Sequence, residues 1–380
     1  MCIRDSKGSG KTPYSRNGDG RAALGPMLRE YIISEAMHNL GIPTTRSLAV
    51  VKTGETVMRE TPLQGAILTR VASSHIRVGT FQYTVFSKDK NDLKIFFDYT
   101  IKRHYPHIKN SKNPAIELLK IVIEKQIKLV TDWMRVGFIH GVMNTDNMAI
   151  SGETIDYGPC AFMDTYDPET VFSSIDYHGR YAYFNQPSIT RWNLERFAES
   201  LVPLIDDNKD KAVEIATEII NSFAEKYKKN WFEMMQKKLG LKGEESKDEN
   251  LIIDLLSWMH QNKADYTNTF CFLMNENIQE NKIYKNQGFI SWKQQWQERL
   301  KLHNNSSEKS LKLMRQANPL VIPRNHKVEE VLKEANNGDI NPFNDFLKVL
   351  EKPYEKQTKT NNYQLPAPLS EKKYQTFCGT

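Results

Sequence analysis

The chain has 380 residues, 39% hydrophobic and 26% charged, and its 52 Lys+Arg against 46 Asp+Glu give a formal net charge of +6. Such a length supports one large domain or two medium ones with a substantial core. The small positive excess suits an acidic ligand such as a nucleotide but falls short of the concentrated basic face of a nucleic-acid binder. No run reaches the ~18 consecutive apolar residues of a membrane span, and Met1-Cys2-Ile3-Arg4-Asp5-Ser6 has no apolar stretch of the signal-peptide kind.

The opening six residues do not read like the rest of the chain and are expected to be an unrelated leader on a chain truncated at its N-terminus. A Gly-rich loop, Lys7-Gly8-Ser9-Gly10-Lys11-Thr12, comes next. Leu24, Leu28, Ile32, Ala36 and Leu40 recur at spacing four and predict a helix, stopped by Gly41 and Pro43. Arg46–Val51, Glu55–Arg59 and Gly65–Val71 read as strands, the first two joined by a hairpin turn at Thr53-Gly54. From Asp92 the pattern turns helical. Pro114 opens an amphipathic helix with Ile116, Leu119, Ile123, Ile127, Val130 and Met134 on one face, ended by Gly137. A polar segment, His140–Gly158, precedes further helices at about 189–204, 209–239, 249–275 and 291–303, with a charged linker at 242–250. The fold class is therefore α+β: a small lobe over residues 7–85, a large helical lobe over 86–352, and an extended polar tail over 353–380. No repeat of 20–50 residues is present.

Cys2, Cys160, Cys271 and Cys378 lie more than a hundred residues apart. They form no Cys-x-x-Cys pair, which excludes zinc knuckles and thioredoxin-type motifs, and a reducing, cytoplasmic setting is expected. Cys378, in Phe377-Cys378-Gly379-Thr380, is a redox candidate; the plainer reading is a passive terminal thiol.

The Gly8-Ser9-Gly10-Lys11-Thr12 run imitates a phosphate-binding P-loop and fails its context. Asp5 stands where the first glycine belongs, and Pro13-Tyr14-Ser15 follows where a helix should begin. What remains is a loop whose backbone N–H groups could cradle phosphate, against the plain reading of a surface turn.

The sharpest signal is His140-Gly141-Val142-Met143-Asn144-Thr145-Asp146-Asn147, followed by Asp156-Tyr157-Gly158. Protein-kinase-like enzymes carry a catalytic loop in which His precedes a catalytic Asp, then an Asn and later an Asp-Phe-Gly triplet that hold metal on the nucleotide phosphates. His140, Asn147 and Asp156 keep that spacing, but Val142 occupies the place of the base and cannot accept a proton. Asn147 and Asp156 offer the hard oxygen ligands that Mg²⁺ or Mn²⁺ takes. Asp146 offers a displaced carboxylate. The plain alternative is a polar loop that only satisfies backbone groups. Arg70 and Arg77 are candidates for phosphate contact. Glu30 and Glu35 both compete to pair with Lys7; Glu35 lies nearer the apolar face of its helix and Glu30 points away from it. His104-Tyr105-Pro106-His107 reads as a helix terminus, and Tyr181–Phe184 as core.

These segments together resemble the selenoprotein O / YdiU family. The resemblance is carried by Lys7–Arg16, Asp19-Gly20-Arg21-Ala22, Ser34–His38, Leu40–Arg46, His140–Met148, Ile155–Pro159, Gly179-Arg180-Tyr181, Asp265-Tyr266-Thr267 and Asn318-Pro319. It implies a protein-kinase-like pseudokinase of two lobes that binds ATP in a flipped orientation. It implies AMP transfer to Ser, Thr or Tyr hydroxyls of proteins, and UMP transfer with Mn²⁺ in bacterial members. By motif it implies Lys7, Asp19, Gly20, Arg70, Arg77 and Asp156 at the nucleotide, Glu30 as partner of Lys7, Asp146 as proton acceptor, and Asn147 with Asp156 on Mg²⁺ or Mn²⁺. Cys378 resembles the sulfur counterpart of the selenocysteine in eukaryotic members. The family's upstream nucleotide loop is missing here, which implies an incomplete pocket. Protein substrates and ATP are the partners expected, with no nucleic acid and no membrane, and a monomer is expected. Two other readings stand beside this one: a catalytically silent nucleotide-binding scaffold, and a conventional phosphotransferase using Asp146.

Overall fold

The computed structural model describes the chain except residues 1, 14, 16–17, 87–90, 276–281, 304–305, 359, 369–373 and 377–380, with residue 361 described by backbone alone. It begins with four strands and one long helix: β1 (Ile3–Lys7), β2 (Ala22–Ala23), α1 (Leu24–Asn39), β3 (Arg46–Met58) and β4 (Pro62–Ala72). β4 is the centre of this antiparallel sheet. One of its edges takes β1, with Asp5 opposite Arg70, and then β2; the other edge takes β3, with Ser47 opposite Arg70. Residues 3–6, expected to be a leader, are therefore a strand of the sheet. Their alternation of half-buried Ile3, Asp5 and Lys7 with exposed Arg4 and Ser6 is that of a strand with one covered face.

The hairpin expected at Thr53-Gly54 is not there. β3 runs through it, and the pairing with β4 shifts register between Lys52 and Thr56, so the extra residues bulge out with Gly54 at φ 76°. The chain reverses instead at Arg59–Thr61, where the Arg59 amide donates to the Thr61 carbonyl. An eleven-residue β4 can pair with both halves of β3, and that tertiary partner overrides the local turn signal.

The helical part comes after the sheet: α2 (Val78–Val85), α3 (Asn91–His104), α4 (Pro114–Val136), the short strands β5 (Phe138–Ile139) and β6 (Ala161–Phe162), then α5 (Gln186–Ile205), α6 (Lys209–Asn221), α7 (Phe223–Lys238), α8 (Asp248–Gln261) and α9 (Tyr266–Leu273). α10 (Gln287–Leu300), α11 (Ser307–Ala317), α12 (Asn325–Asn336), α13 (Asn341–Leu350) and α14 (Thr360–Gln364) complete it. α4 is the spine. Asn113 caps it by accepting from the amides of Ala115 and Ile116, Pro114 fills its first turn, and Gly137 ends it at φ 71°. Leu118, Leu119, Val122, Ile123, Ile127 and Val130 are all buried, each contributing about 1.5–3 kcal/mol relative to exposure.

Two expected helices are each divided. The 209–239 stretch breaks at Ser222 into α6 and α7. The 249–275 stretch breaks between Gln261 and Tyr266, where Lys263 takes φ 52° and the Asp265 side chain caps α9 by accepting from the Asn268 amide at 2.7 Å. The helices α11, α12 and α13 lie outside the expected helical stretches, although Val328, Val331, Leu332 and Ala335 of α12 and Phe343, Phe346 and Leu350 of α13 recur at helical spacing and are buried. The described residues of the 353–380 segment do not trail freely: α14 lies there, and Thr376 donates its amide to the Phe172 carbonyl at 2.8 Å. Two apolar clusters form the core. One joins α1 to the 138–163 segment and the later helices; the other fills the space among α2, α3, α4, α5 and α6. Among the described residues, no helix is long and apolar enough to cross a membrane.

Candidate functional site

The sheet and α1 converge on a buried charge cluster. Lys7, the last residue of β1, donates from Nζ to Glu30 Oε2 at 2.8 Å and also to Asp156 Oδ1. Arg70 on β4 donates from Nη1 to Glu30 at 3.2 Å and to Asp156 at 3.3 Å, and grips Asp5 with Nε at 2.9 Å and Nη2 at 2.6 Å. Glu30 is 1% exposed and Arg70 4%. Charges this deep require close partners, since each unpaired ion would cost several kcal/mol. Burial by itself works against the charged forms here. The neighbouring carboxylates overcome it and raise the pKa values of Lys7 and Arg70 above their ordinary range. Burial likewise pushes the Asp156 carboxyl up, while Lys7 and Arg70 pull it further down, well below the usual carboxylate range.

The loop between β5 and β6 presents Asp156 to this cluster. His140 is fully buried; its amide donates to Gln186 at 3.0 Å, and its Nε2, which carries the proton, donates to the Ile155 carbonyl at 2.9 Å. Burial lowers its pKa and keeps the ring neutral. A Cβ on Gly141, at φ 82°, would fall 2.6 Å from the Pro159 carbonyl oxygen, so the two arms of the loop are pressed together. Asp156 itself sits at φ 68°, a left-handed conformation that a non-glycine residue adopts at a cost and that clusters at functional sites.

Asn144 caps a single 3₁₀ turn, Thr145–Asn147, by accepting from the Asp146 amide at 3.0 Å. Asn147 donates from Nδ2 to the Val142 carbonyl at 2.9 Å. That leaves Asn147 Oδ1 free of partners among the described residues, as is Asp156 Oδ2. Each oxygen is a donor of the kind a hard divalent cation takes alongside phosphate and water. Among the described residues no group of three or more His, Cys, Asp or Glu could hold a metal ion, so this is not an all-protein cage. Mg²⁺ or Mn²⁺ held by Asn147 and Asp156 would supply charge neutralisation on the phosphates.

Arg77 precedes α2 and faces the same centre. Burial and the charge of Arg70 lower its pKa, while Asp156, Asp5 and Asp146 raise it. Unlike Arg70, it forms no ion pair among the described residues. Asp146 is exposed and its carboxylate abuts Gly79. The Gly-rich loop closes on itself: the Gly10 amide donates to the Gly20 carbonyl at 2.9 Å, and a Cβ on Gly20, at φ 67°, would run into the Gly10 backbone. Asp19 accepts from Arg59 at 3.0 Å and from the Arg21 amide at 3.0 Å, and the Arg59 bond leads in pulling its pKa down to about 2. No hydrogen bond or ion pair among the described residues links Asp19 to the Lys7 cluster. Behind Lys7 and Glu30 a cleft of about 590 Å³ opens between Arg29, Tyr157 and Tyr374.

The structure thus joins Lys7, Glu30, Arg70 and Asp156 directly, with Arg77 near enough to feel Arg70, Asp156, Asp5 and Asp146; Asn147 is held to Val142, and Asp19 and Gly20 lie in the Gly-rich loop. Glu35, the rival to Glu30, pairs with Arg46 at 2.5 Å on another side of α1. Cys378 lies outside the described residues; Cys160 and Cys271 are buried. Asp5 escapes the sequence reading because it stands in the supposed leader, where Ile3-Arg4-Asp5-Ser6-Lys7 offers no apolar alternation to mark a strand. Gly79 escapes it because nothing local marks it.

A buried lysine–glutamate pair, an acidic residue on strained backbone and a His-to-Asn polar loop together have the make-up of an enzyme centre. The family model described as protein adenylyltransferase SelO matches residues 3–351, and the chain belongs to this family. Relatives named protein nucleotidyltransferase YdiU include one from Pelagibacter ubique, 63% identical over 98% of this chain and 77% of its own length. Those from Nitrosococcus oceani and Clostridium beijerinckii are each 58% identical over 98% of this chain and 76% of their own lengths.

Proposed function

We propose that this chain is a protein nucleotidyltransferase of kinase-like, two-lobed architecture that transfers AMP from ATP to Ser, Thr or Tyr hydroxyls of proteins, with UTP as a second donor. Its division runs near residue 85, and it acts in the cytoplasm. Membership of the SelO family and the names of its relatives support nucleotidyl transfer. The observation that carries the reading is at position 142. A valine stands there and offers only its carbonyl, to Asn147, while the nearby exposed carboxylate is Asp146.

In this reading Asp146 accepts the proton of the protein hydroxyl as its oxygen attacks the α-phosphorus. The bond from the α-phosphorus to the bridging oxygen breaks, and pyrophosphate leaves with that electron pair. Lys7, Arg70 and Arg77 balance phosphate charge, and Arg77, with no carboxylate of its own, is the cation most ready to do so. Asn147 and Asp156 would hold Mg²⁺ or Mn²⁺, which would add electrostatic stabilisation. Asp19 and Gly20 shape the loop over the nucleotide.

Incubation with α-³²P-ATP and γ-³²P-ATP in parallel tests this. Label on protein from the α form alone is expected. Label from the γ form alone means conventional phosphotransfer, and nucleotide-dependent thermal stabilisation with label from neither means a silent scaffold.

A further inference from the structure

We propose that Gly79 is a positioning residue that holds the Asp146 carboxylate in place by having no side chain. The inference rests on the reading of Asp146 as proton acceptor.

The segment leading into α2 is stitched to the strand-like stretch after the 3₁₀ turn. The Val78 amide donates to the Met148 carbonyl at 2.9 Å, the Ile150 amide to the Ile76 carbonyl at 3.1 Å, and Arg77 bridges Ala149 in antiparallel fashion. Carried one step further, this register brings Gly79 against the turn that holds Asp146. A Cβ on Gly79 would overlap Asp146 Oδ1 and lie 3.2 Å from Asp146 Cγ and 3.4 Å from its amide nitrogen.

The backbone does not ask for glycine here. Gly79 is not among the positive-φ residues, and it lies in the first turn of a helix, where alanine is the better residue. Space is the remaining demand, and the group that fills it is the carboxylate. Gly20 differs, because its φ of 67° itself requires glycine. Arg77 sits two residues before Gly79 on the same stitched segment. One rigid piece of backbone therefore sets the spacing between the acceptor carboxylate and a phosphate-facing cation.

The test is Gly79→Ala in the chain as it stands, with α-³²P-ATP transfer, nucleotide affinity and thermal unfolding measured together. The expected result is a kcat roughly 10- to 100-fold lower, the scale of a misplaced catalytic group. KM for ATP should stay within about twofold and the melting temperature unchanged or raised. A merely structural glycine would instead lower the melting temperature, and that outcome, or failure to fold, overturns the proposal, as does an unchanged kcat. Asp146→Ala separates the two levels: if it keeps full transfer activity the functional reading fails, whereas loss in Asp146→Ala with full activity in Gly79→Ala sinks only the role of Gly79.

Discussion

Lys7 and Glu30 form a 2.8 Å ion pair between the end of the first strand and the first helix, and the same glutamate accepts from Arg70 at 3.2 Å. One carboxylate, almost wholly buried, thus anchors two cations that also hold Asp156. Glu30→Gln should remove the shared counter-ion of both and cost about 3–5 kcal/mol of stability. Glu35→Gln, whose partner Arg46 is 43% exposed, should cost about 1 kcal/mol or less. Urea unfolding of the two variants side by side checks the contrast; equal losses would contradict it.

Asn147 and Asp156 should behave as a pair toward metal and unlike each other toward stability. Either alanine variant should lower nucleotidyl transfer by about 100-fold or more and shift the Mn²⁺ or Mg²⁺ dependence to higher concentration. Asn147→Ala should keep the parent melting temperature, since it gives up one hydrogen bond at a half-buried loop. Asp156→Ala should lower it, because Lys7 and Arg70 lose a partner. Metal titrations of activity and thermal scans read both.

Acid should loosen the sheet at β1. Burial raises the Asp5 carboxyl, but its hydrogen bond and charge contact with Arg70 outweigh this, so the folded pKa is lowered. Asp156 is lowered as well. A carboxylate with a depressed folded pKa contributes stability that is complete above its unfolded value, about 3.9, and is lost as pH falls through the folded one. Melting temperature should therefore fall below about pH 4. Asp5→Asn should be less stable than the parent at pH 7, and the difference should shrink as the pH drops below about 4. A constant difference across that range would refute the assignment.

Lys238 should respond in the same direction but over a higher range of pH. Its Nζ donates to the Arg135 carbonyl at 2.8 Å and lies 3.9 Å from the Phe270 ring centre, with no carboxylate beside it among the described residues. Burial, reinforced by the charge of Arg135, lowers its pKa well below the ordinary lysine range. The unfolded chain then binds a proton that the folded one does not hold, and this group's contribution to stability rises with pH up to the unfolded value near ~10.4. Lys238→Met should gain most over the parent at low pH. That advantage should shrink by at most about 1.4 kcal/mol per pH unit as pH rises. Parallel unfolding curves from pH 6 to 9 would show whether it does.

The parts legible beforehand are those written within a turn or two of chain. α4 is marked by its cap, its proline, its apolar stripe and its terminal glycine. The His140-to-Asn147 spacing and the Asp156 triplet are likewise local. The expected turn at Thr53-Gly54 fails because β4 offers a continuous partner. The long helices at 209–239 and 249–275 fail because apolar periodicity does not register a break at Ser222 or a left-handed Lys263.

The amino-acid sequence alone determined the α+β class, several of the principal helices and the candidates for metal and nucleotide contact, because periodicity, capping and motif spacing are properties of neighbouring residues. The resemblance already implies Glu30 as the partner of Lys7, but only the tertiary structure supplied that contact, drew Asp5 into the cluster and set Gly79 against Asp146. Helical periodicity separates Glu35, nearer the apolar face, from Glu30 without deciding between them. Ion pairing follows which strand crosses the helix, and β1 and β4 bring Lys7 and Arg70 to Glu30, whereas β3 brings Arg46 to Glu35. That choice depends on contacts between segments far apart in the chain, which no local pattern encodes.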